Sequence, residues 1–354
     1  MKVVTIAPIY VKQLLEGAAL KGYNPEDILR AQGLPTQLLT NPKLRISTIE
    51  FAELCHTVTL LLRDEAFGLL AKPQQLGSFK LWAQASLIGD NIQESLKICR
   101  ESFNLIDNSI SAYTSFTEDG GYIAFNYEQH KSIKSHYYIE ALLISTHRTL
   151  CWLANEFLPI ESVELAYPEP AHSEEHRFLF YGVPVTFNQK RNAIHFSKKT
   201  LLFVCHRNKA DLNELLKNTH VRLLTQPKRS KSTSIRVRLW MENLFREGHS
   251  NPQIEQAAQY VGLTEQTLRR HLKKDDYSFQ RLKDDTRRDM AISYITQKEH
   301  SIENIAFRLG FSEASTFIRA FKKWTGLTPL AYRKISQSNE IFTRKEQEPP
   351  KSAG

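Results

Sequence analysis

A segment near the C-terminal end of this 354-residue chain is written twice. Ile254-Glu-Gln-Ala-Ala-Gln-Tyr-Val-Gly-Leu-Thr-Glu265 returns 48 residues later as Ile302-Glu-Asn-Ile-Ala-Phe-Arg-Leu-Gly-Phe-Ser-Glu313. One extra residue then enters the second copy. From there the offset is 49, so Leu268 answers to Phe317, Arg270 to Arg319 and Lys273 to Lys322. Each copy reads as a helix, a glycine at the turn where a positive φ is needed, and a second helix. That is the helix-turn-helix pattern, whose second helix lies in the DNA major groove. Two copies predict a protein that reads two successive groove segments of double-stranded DNA.

Charge supports a polyanion partner through its placement. The net charge is +9. Residues 1–227 hold 23 Lys and Arg against 23 Asp and Glu, and residues 228–354 hold 24 against 15. A neutral front and a basic back fit a regulatory half joined to a nucleic-acid binder.

Within the first copy, Ile254, Ala257, Ala258, Val261 and Leu263 are the apolar positions of a support helix. Gly262 marks the turn and Thr264 is a natural N-cap. Leu268 and Leu272 face the core four residues apart, which turns Glu265, Gln266, Arg269, Arg270 and Lys273 outward. Gln pairs bidentately with adenine and Arg with guanine. Gln266 and Arg269 are therefore the base-reading candidates, with Arg270 on a base or a phosphate. Lys273 and Lys274 fall to the phosphate backbone, which positions without specifying. In the second copy the expected cap is Ser312 and the core pair is Phe317 and Phe321. Ala314 is a candidate for a thymine methyl, Ser315 and Arg319 for bases or phosphates, and Lys322 and Lys323 for the backbone. Between the copies, Phe279 to Thr296 reads as one long helix with Leu282, Met290, Ala291 and Ile295 at core spacing. Its expected role is to hold the recognition helices about one turn of B-DNA apart, roughly 34 Å.

The front of the chain reads as α+β. Asn24-Pro25-Glu26-Asp27 is a capped helix start with proline at the first helical position. Ser47 and Glu50 form a capping box for a helix over residues 49–63. Further helices are expected over 91–105 and 138–158. Ser109–Phe116 and Tyr122–Tyr127 alternate around Asp119-Gly120-Gly121, which predicts a β-hairpin turning at the glycines. Residues 162–166, 183–187 and 193–196 are further strand candidates. The polar, basic stretch from Thr225 to Ser234 predicts a linker. The domains expected are thus 1–225 for sensing or dimerisation, 226–234 as linker, 235–335 for DNA and 336–354 as a disordered tail.

Other chemistry finds little support in the sequence. No apolar run is long enough to span a membrane, and no leader with a small-residue cleavage site is read, so a cytoplasmic location is expected. Cys55, Cys99, Cys151 and Cys205 are scattered, form no C-x-x-C pair and suit reduced thiols. His172 and His176 stand four apart, but Ala-His-Ser-Glu-Glu-His is not a zinc-protease motif. No catalytic, metal or cofactor residue is assigned.

Residues 235–335 resemble the DNA-binding domain of the AraC family of bacterial transcription regulators. The resemblance rests on Ser301 to Arg333 and above all on its ending, Trp324-Thr325-Gly326-x-x-Pro329-x-x-Tyr332-Arg333. It implies that Gln266, Arg269, Arg270, Ser315 and Arg319 approach DNA. His271, Leu272 and Asp275-Asp276 depart from the usual pattern. The front is similar to the effector half of the ornithine-utilisation type within that family, through Gly22-Tyr-Asn-Pro-Glu-Asp-Ile-Leu29, Asn41-Pro-Lys-Leu-Arg45, Phe67-Gly68-Leu69, Leu76-Gly77 and Tyr181-Gly182-Val-Pro184-Val-x-Phe187. That resemblance implies a small-molecule effector, an activator that works with RNA polymerase, and a possible homodimer. The alternatives are a constitutive regulator whose front half only dimerises, and an enzyme fused to a DNA-binding tail.

Overall fold

The computed structural model describes residues 5–106, 109–224, 232–248, 251–275, 277–297 and 300–337. Most of the expected linker, the expected tail beyond residue 337, and Asp276 lie outside them. The chain forms two compact units. One draws on Met1–Leu54, Val237–Thr267 and Ser278–Gly354, and the other on Cys55–Arg236 and Leu268–Tyr277.

The second unit is built on a five-stranded sheet. Its strands are β3 (Ile110–Phe116), β4 (Gly120–Tyr127), β5 (Ser162–Glu164), β6 (Val185–Thr186) and β7 (Asn192–Ser197), in the order β3-β4-β7-β5-β6. Strands β1 (Thr5–Ile6) and β2 (Ile46–Ser47) form a separate antiparallel pair in the first unit. Within the sheet only β5 and β6 run parallel. The hairpin register runs from Ile110 opposite Tyr127 to Phe116 opposite Gly121.

The glycines are not its turn, which is made by Thr117, Glu118 and Asp119 and closed by Thr117 N–H on Gly120 O at 2.7 Å. Gly120 and Gly121 belong to β4, where neighbouring backbone leaves no room for a side chain. A Cβ on Gly120 would lie 2.3 Å from Phe196 O, and one on Gly121 2.5 Å from Ser115 O. Close approach of another strand is the second reason for glycine in a sheet. Because β4 is central, Ile123, Ala124 and Phe125 are all buried and strict alternation fails.

At the edge, the Asn104 side chain accepts from Ala112 N at 2.8 Å and donates to Ala112 O at 2.9 Å. An amide here takes the place of a missing strand and blunts the edge.

Helix starts follow the caps. Asn24 Oδ1 accepts from Glu26 N, Asn91 Oδ1 from Glu94 N, and Ser47 with Glu50 closes a reciprocal box. The helix after Ser47 is Thr48–Leu62, and Arg63 follows at φ +52°. Gly17 sits inside the Pro8–Leu20 helix, and Gly22 follows its end at φ +87°. The helix expected over 138–158 is Tyr137–Leu153. It stops early because Asn155 adopts φ +52° and Glu156 N–H bonds back to Cys151 O at 3.1 Å, the left-handed stop that asparagine tolerates.

In the first unit, which also holds the N-terminal helices, strand β2 packs against the connecting helix, Phe279–Gln297. At its centre is a buried ionic cluster. Asp289, 2% exposed, accepts from Arg238 Nη2 at 2.6 Å, Arg288 Nε at 3.0 Å and Thr5 Oγ1 at 2.5 Å. Thr5 Oγ1 in turn accepts from Arg45 Nε at 2.8 Å. Burial raises the pKa of Asp289, but Arg288, Arg238 and Arg45 outweigh it and hold it at about 2. Arg238 is disfavoured by burial and then driven above its usual range by Asp289 and Glu242. Two further bonds tie the stretch around Arg45 to the C-terminal helices of the same unit: Tyr332 Oη donates to Arg45 O at 2.5 Å, and Asn41 Nδ2 to Thr325 O at 3.1 Å.

Removing one partner of such a cluster strands the others. Asp289→Ala is therefore expected to cost about 3–5 kcal/mol in chemical denaturation of the full chain. A loss below about 1 kcal/mol contradicts the assigned role.

Acid should act earlier on the sheet unit. Burial pushes His147 and His220 down from 6.5 to about 4. The unfolded chain takes up these protons near pH 6.5 and the folded chain only near 4. Their stabilisation is thus full above pH 6.5 and falls away as pH drops toward 4. At pH 5 each should cost on the order of 2 kcal/mol. The contribution of Asp289 is lost only below 3.8, toward 2. Melting curves at pH 7 and pH 5 check the first step: Tm should fall, and His147→Gln should shrink the fall.

Candidate nucleic-acid interface

Both repeats fold as helix, turn, helix, and both turns close by the same bonds. The first support helix is Ile254–Val261 and the second is Ile302–Arg308. Gly262 has φ +74° and Gly310 φ +79°. Leu263 N–H reaches back to Ala258 O at 2.9 Å, and Phe311 N–H to Ala306 O at 3.0 Å. These are the six-to-one bonds of a Schellman stop, which requires a residue with positive φ just inside it. The conformation, more than available space, selects glycine: a Cβ on Gly262 would meet nothing within 4 Å. Leu263 lies beyond this stop, outside the support helix to which its periodicity assigns it.

The first recognition helix is Glu265–Lys274. Thr264 caps it, its Oγ1 accepting from Thr267 N at 3.3 Å. Leu268 and Leu272 are fully buried. Gln266, Arg269, Arg270 and Lys273 are all exposed. Spacings of three and four residues put them on one helical face. Its last turn carries His271, Lys273 and Lys274, cations that suit the negative end of the helix.

The second recognition helix is Ala314–Thr325, and its N-cap is Glu313, not Ser312. The reason lies in the extra residue of this copy. Phe317 and Phe321 are fully buried and set the helix register. Four residues before Phe317 is Glu313, as Thr264 is four before Leu268. The additional residue therefore lies in the turn and moves the cap by one. Glu313 Oε2 also accepts from Ser315 Oγ at 2.9 Å, so this hydroxyl is already oriented. Ser315, Arg319, Lys322 and Lys323 are exposed along one face, and Ala314 is half-buried.

Sequence reasoning missed two residues that tie the connecting helix to the repeats. Lys283 and Arg287 read as the solvated face of a polar helix, yet each is 8% exposed. Lys283 Nζ donates to Asn251 Oδ1 and Pro252 O, both at 3.3 Å, just before the first support helix. Arg287 Nε donates to Leu309 O at 2.9 Å in the second turn, and its guanidinium lies 5.0 Å from the Phe311 ring centre. Burial lowers the pKa of both. The one available signal was the spacing: Lys283 and Arg287 continue the buried stripe of Leu282 and Met290. The connecting helix is thus tied to elements of both repeats, which a simple spacer would not need.

Residues 22–202 match the description "Arabinose-binding domain of AraC transcription regulator, N-term", and residues 257–335 match "Helix-turn-helix domain". The chain belongs to the AraC family of transcription regulators. It is a DNA-binding transcription regulator with an α+β N-terminal half and a helical C-terminal half. The Ornithine utilization regulator of Pseudomonas aeruginosa is 25% identical over 325 residues, 92% of this chain and 95% of that protein. The Urease operon transcriptional activator of Escherichia coli is 36% identical over 88 residues, 25% of this chain and 30% of that protein. The crystal structure of the transcriptional regulator CdpR from Pseudomonas aeruginosa is similar over 94% of this chain and all of that one, at 18% identity and a TM-score of 0.33.

His172 and His176 stack with ring centres 5.8 Å apart. Among the described residues no three His, Cys, Asp or Glu side chains are placed to hold a metal ion. No helix of the described residues is long and apolar enough to cross a membrane. All four cysteines are free thiols.

Proposed function

We propose that this protein is an effector-responsive transcription activator, acting in the cytoplasm, whose two recognition helices read successive major-groove segments of promoter DNA. The observation that carries it is the pair of exposed faces. Gln266, Arg269, Arg270 and Lys273 share one, and Ser315, Arg319, Lys322 and Lys323 the other. Each stands behind a glycine turn closed by the same bond. Gln266 and Arg269 are assigned to base edges, with Ala314 against a thymine methyl, and Arg270, Ser315 and Arg319 to bases or phosphates. Lys273, Lys322 and Lys323 neutralise phosphates. Glu313 tempers the second face, because its carboxylate already holds Ser315 and repels nearby phosphate.

The N-terminal half is assigned the sensing role, over residues 1–225, and regulatory rather than catalytic work. The family supports this reading, as does the fact that named relatives are regulators and activators. Binding of a small metabolite would shift the population between DNA-binding states for which it has different affinity. Homodimerisation through this half and contact with RNA polymerase complete the proposal. Sedimentation of the full chain, alone and with polymerase, tests both.

Base and phosphate roles separate experimentally. Arg269→Ala should relax preference at one base position, with a discrimination loss of about 1–3 kcal/mol. A binding-site selection that returns the parental motif refutes the assignment. Lys322→Ala should weaken all sequences alike and reduce the slope of log K against log salt by about 0.9. Anisotropy titrations across salt concentrations, on selected and scrambled duplexes, measure it, and a loss confined to one sequence contradicts it.

A further inference from the structure

The sheet unit contains a titratable cluster that DNA recognition does not use. Glu140 lies in the first turn of the Tyr137–Leu153 helix and is 2% exposed. Its Oε1 accepts from Tyr167 Oη at 2.6 Å and lies 3.1 Å from His176 Nε2. Its Oε2 is buried and has no hydrogen-bond partner. The His136 ring stacks on Tyr167 with centres 4.0 Å apart and planes 10° from parallel. Phe187 stands 5.9 Å from Tyr167 and 5.4 Å from His176. Glu140, Tyr167 and His176 are buried, whereas His136 and Phe187 are half-buried. The cluster therefore has a closed floor and a rim that solvent reaches.

A buried carboxylate oxygen without a donor is among the costlier features a fold retains. Beside a rim that solvent reaches, such an oxygen is free to accept from a donor outside the chain. A metal ion does not fit, since no three ligating side chains of the described residues converge. What fits is an N–H donor with positive charge. The carboxylate supplies a charge-assisted acceptor, and the face of the half-buried Phe187 favours a cation beside it. Small-molecule sites commonly pair aromatic walls with a few polar groups in this way.

We propose that this cluster is the effector site, and that Glu140 Oε2 accepts from the protonated amine of a small metabolite held at the half-buried rim of His136 and Phe187. This rests on the effector-responsive reading above and names the site and ligand class for it. No sequence motif announces the site, because its residues come from three separate stretches of chain.

Calorimetric titration of the full-length protein tests it. The probes are putrescine, n-butylamine and L-ornithine, with 1,4-butanediol and L-arabinose as neutral counterparts of similar size. At least one amine should bind and both neutral probes should not. Glu140→Gln, which keeps shape but removes the charge, should weaken amine binding at least tenfold. Phe187→Leu, on the rim, should weaken it several-fold, and it carries the test should the Glu140 variant fail to fold. The proposal is overturned if no amine binds, if the diol or sugar binds as well as the amines, or if a folded variant keeps parental affinity. A DNA-affinity readout separates this from the effector reading. A chain insensitive to amines whose DNA affinity still responds to another metabolite class sinks the site alone. Amine binding that depends on Glu140 but leaves DNA affinity unchanged keeps the site and sinks the responsiveness.

Discussion

The buried charge of Asp289 organises the first unit. Three arginines and a threonine from four separate stretches of sequence converge on it, directly or through Thr5. A carboxylate at 2% exposure is costly unless its lone pairs are filled, and here they are filled by groups that have no other reason to meet. Arg238 comes from the helix that opens the DNA-binding region, Thr5 from strand β1, Arg45 from the residue just before β2, and Arg288 from the same helix as Asp289. One buried acid thereby sets how the beginning of the chain packs against its end. Hydrophobic burial alone does not supply such registry, because apolar contacts are non-directional.

The connecting helix is the frame on which that cluster, the entry to the first support helix and the second turn depend. Its successive polar residues Lys283, Arg287 and Asp289 each reach a different segment of the same unit. The helix is thus read by its neighbours through directional bonds, while Leu282, Met290, Ala291 and Ile295 fill the core between them. Packing the recognition helices through Leu268, Leu272, Phe317 and Phe321 leaves their basic faces outward by geometry alone. The charge available to DNA is therefore a by-product of where the core residues sit. The same logic accounts for the one-residue shift of the second cap: the buried phenylalanines set the register, and the polar cap follows.

Features carried by local rules were legible before folding. The caps at Asn24, Ser47 and Asn91 compete for backbone N–H groups within three residues, so short sequence windows contain all the information needed. The glycine turns were legible for the same reason. Features decided by distant partners were not. Gly120 and Gly121 read as a turn because nothing local shows that Phe196 and Ser115 press against them. Lys283, Arg287 and Asp289 read as solvent-facing because a charged side chain is normally exposed, and only its partner makes burial tolerable. Glu140 was unreadable in the same way, with its neighbours Tyr167 and His176 lying 27 and 36 positions away.

The sequence by itself determined the family, the two helix-turn-helix repeats and the residues on their outward faces. These follow from periodicity and from backbone stereochemistry, which act over a few residues. Tertiary structure alone decided that Met1–Leu54 joins the unit holding the second repeat, that the connecting helix buries its charges, and that a carboxylate in the sheet unit keeps one oxygen without a donor. Those outcomes depend on which distant groups satisfy one another's charge and hydrogen bonds, and no linear pattern encodes a pairing between residues separated by tens to hundreds of positions.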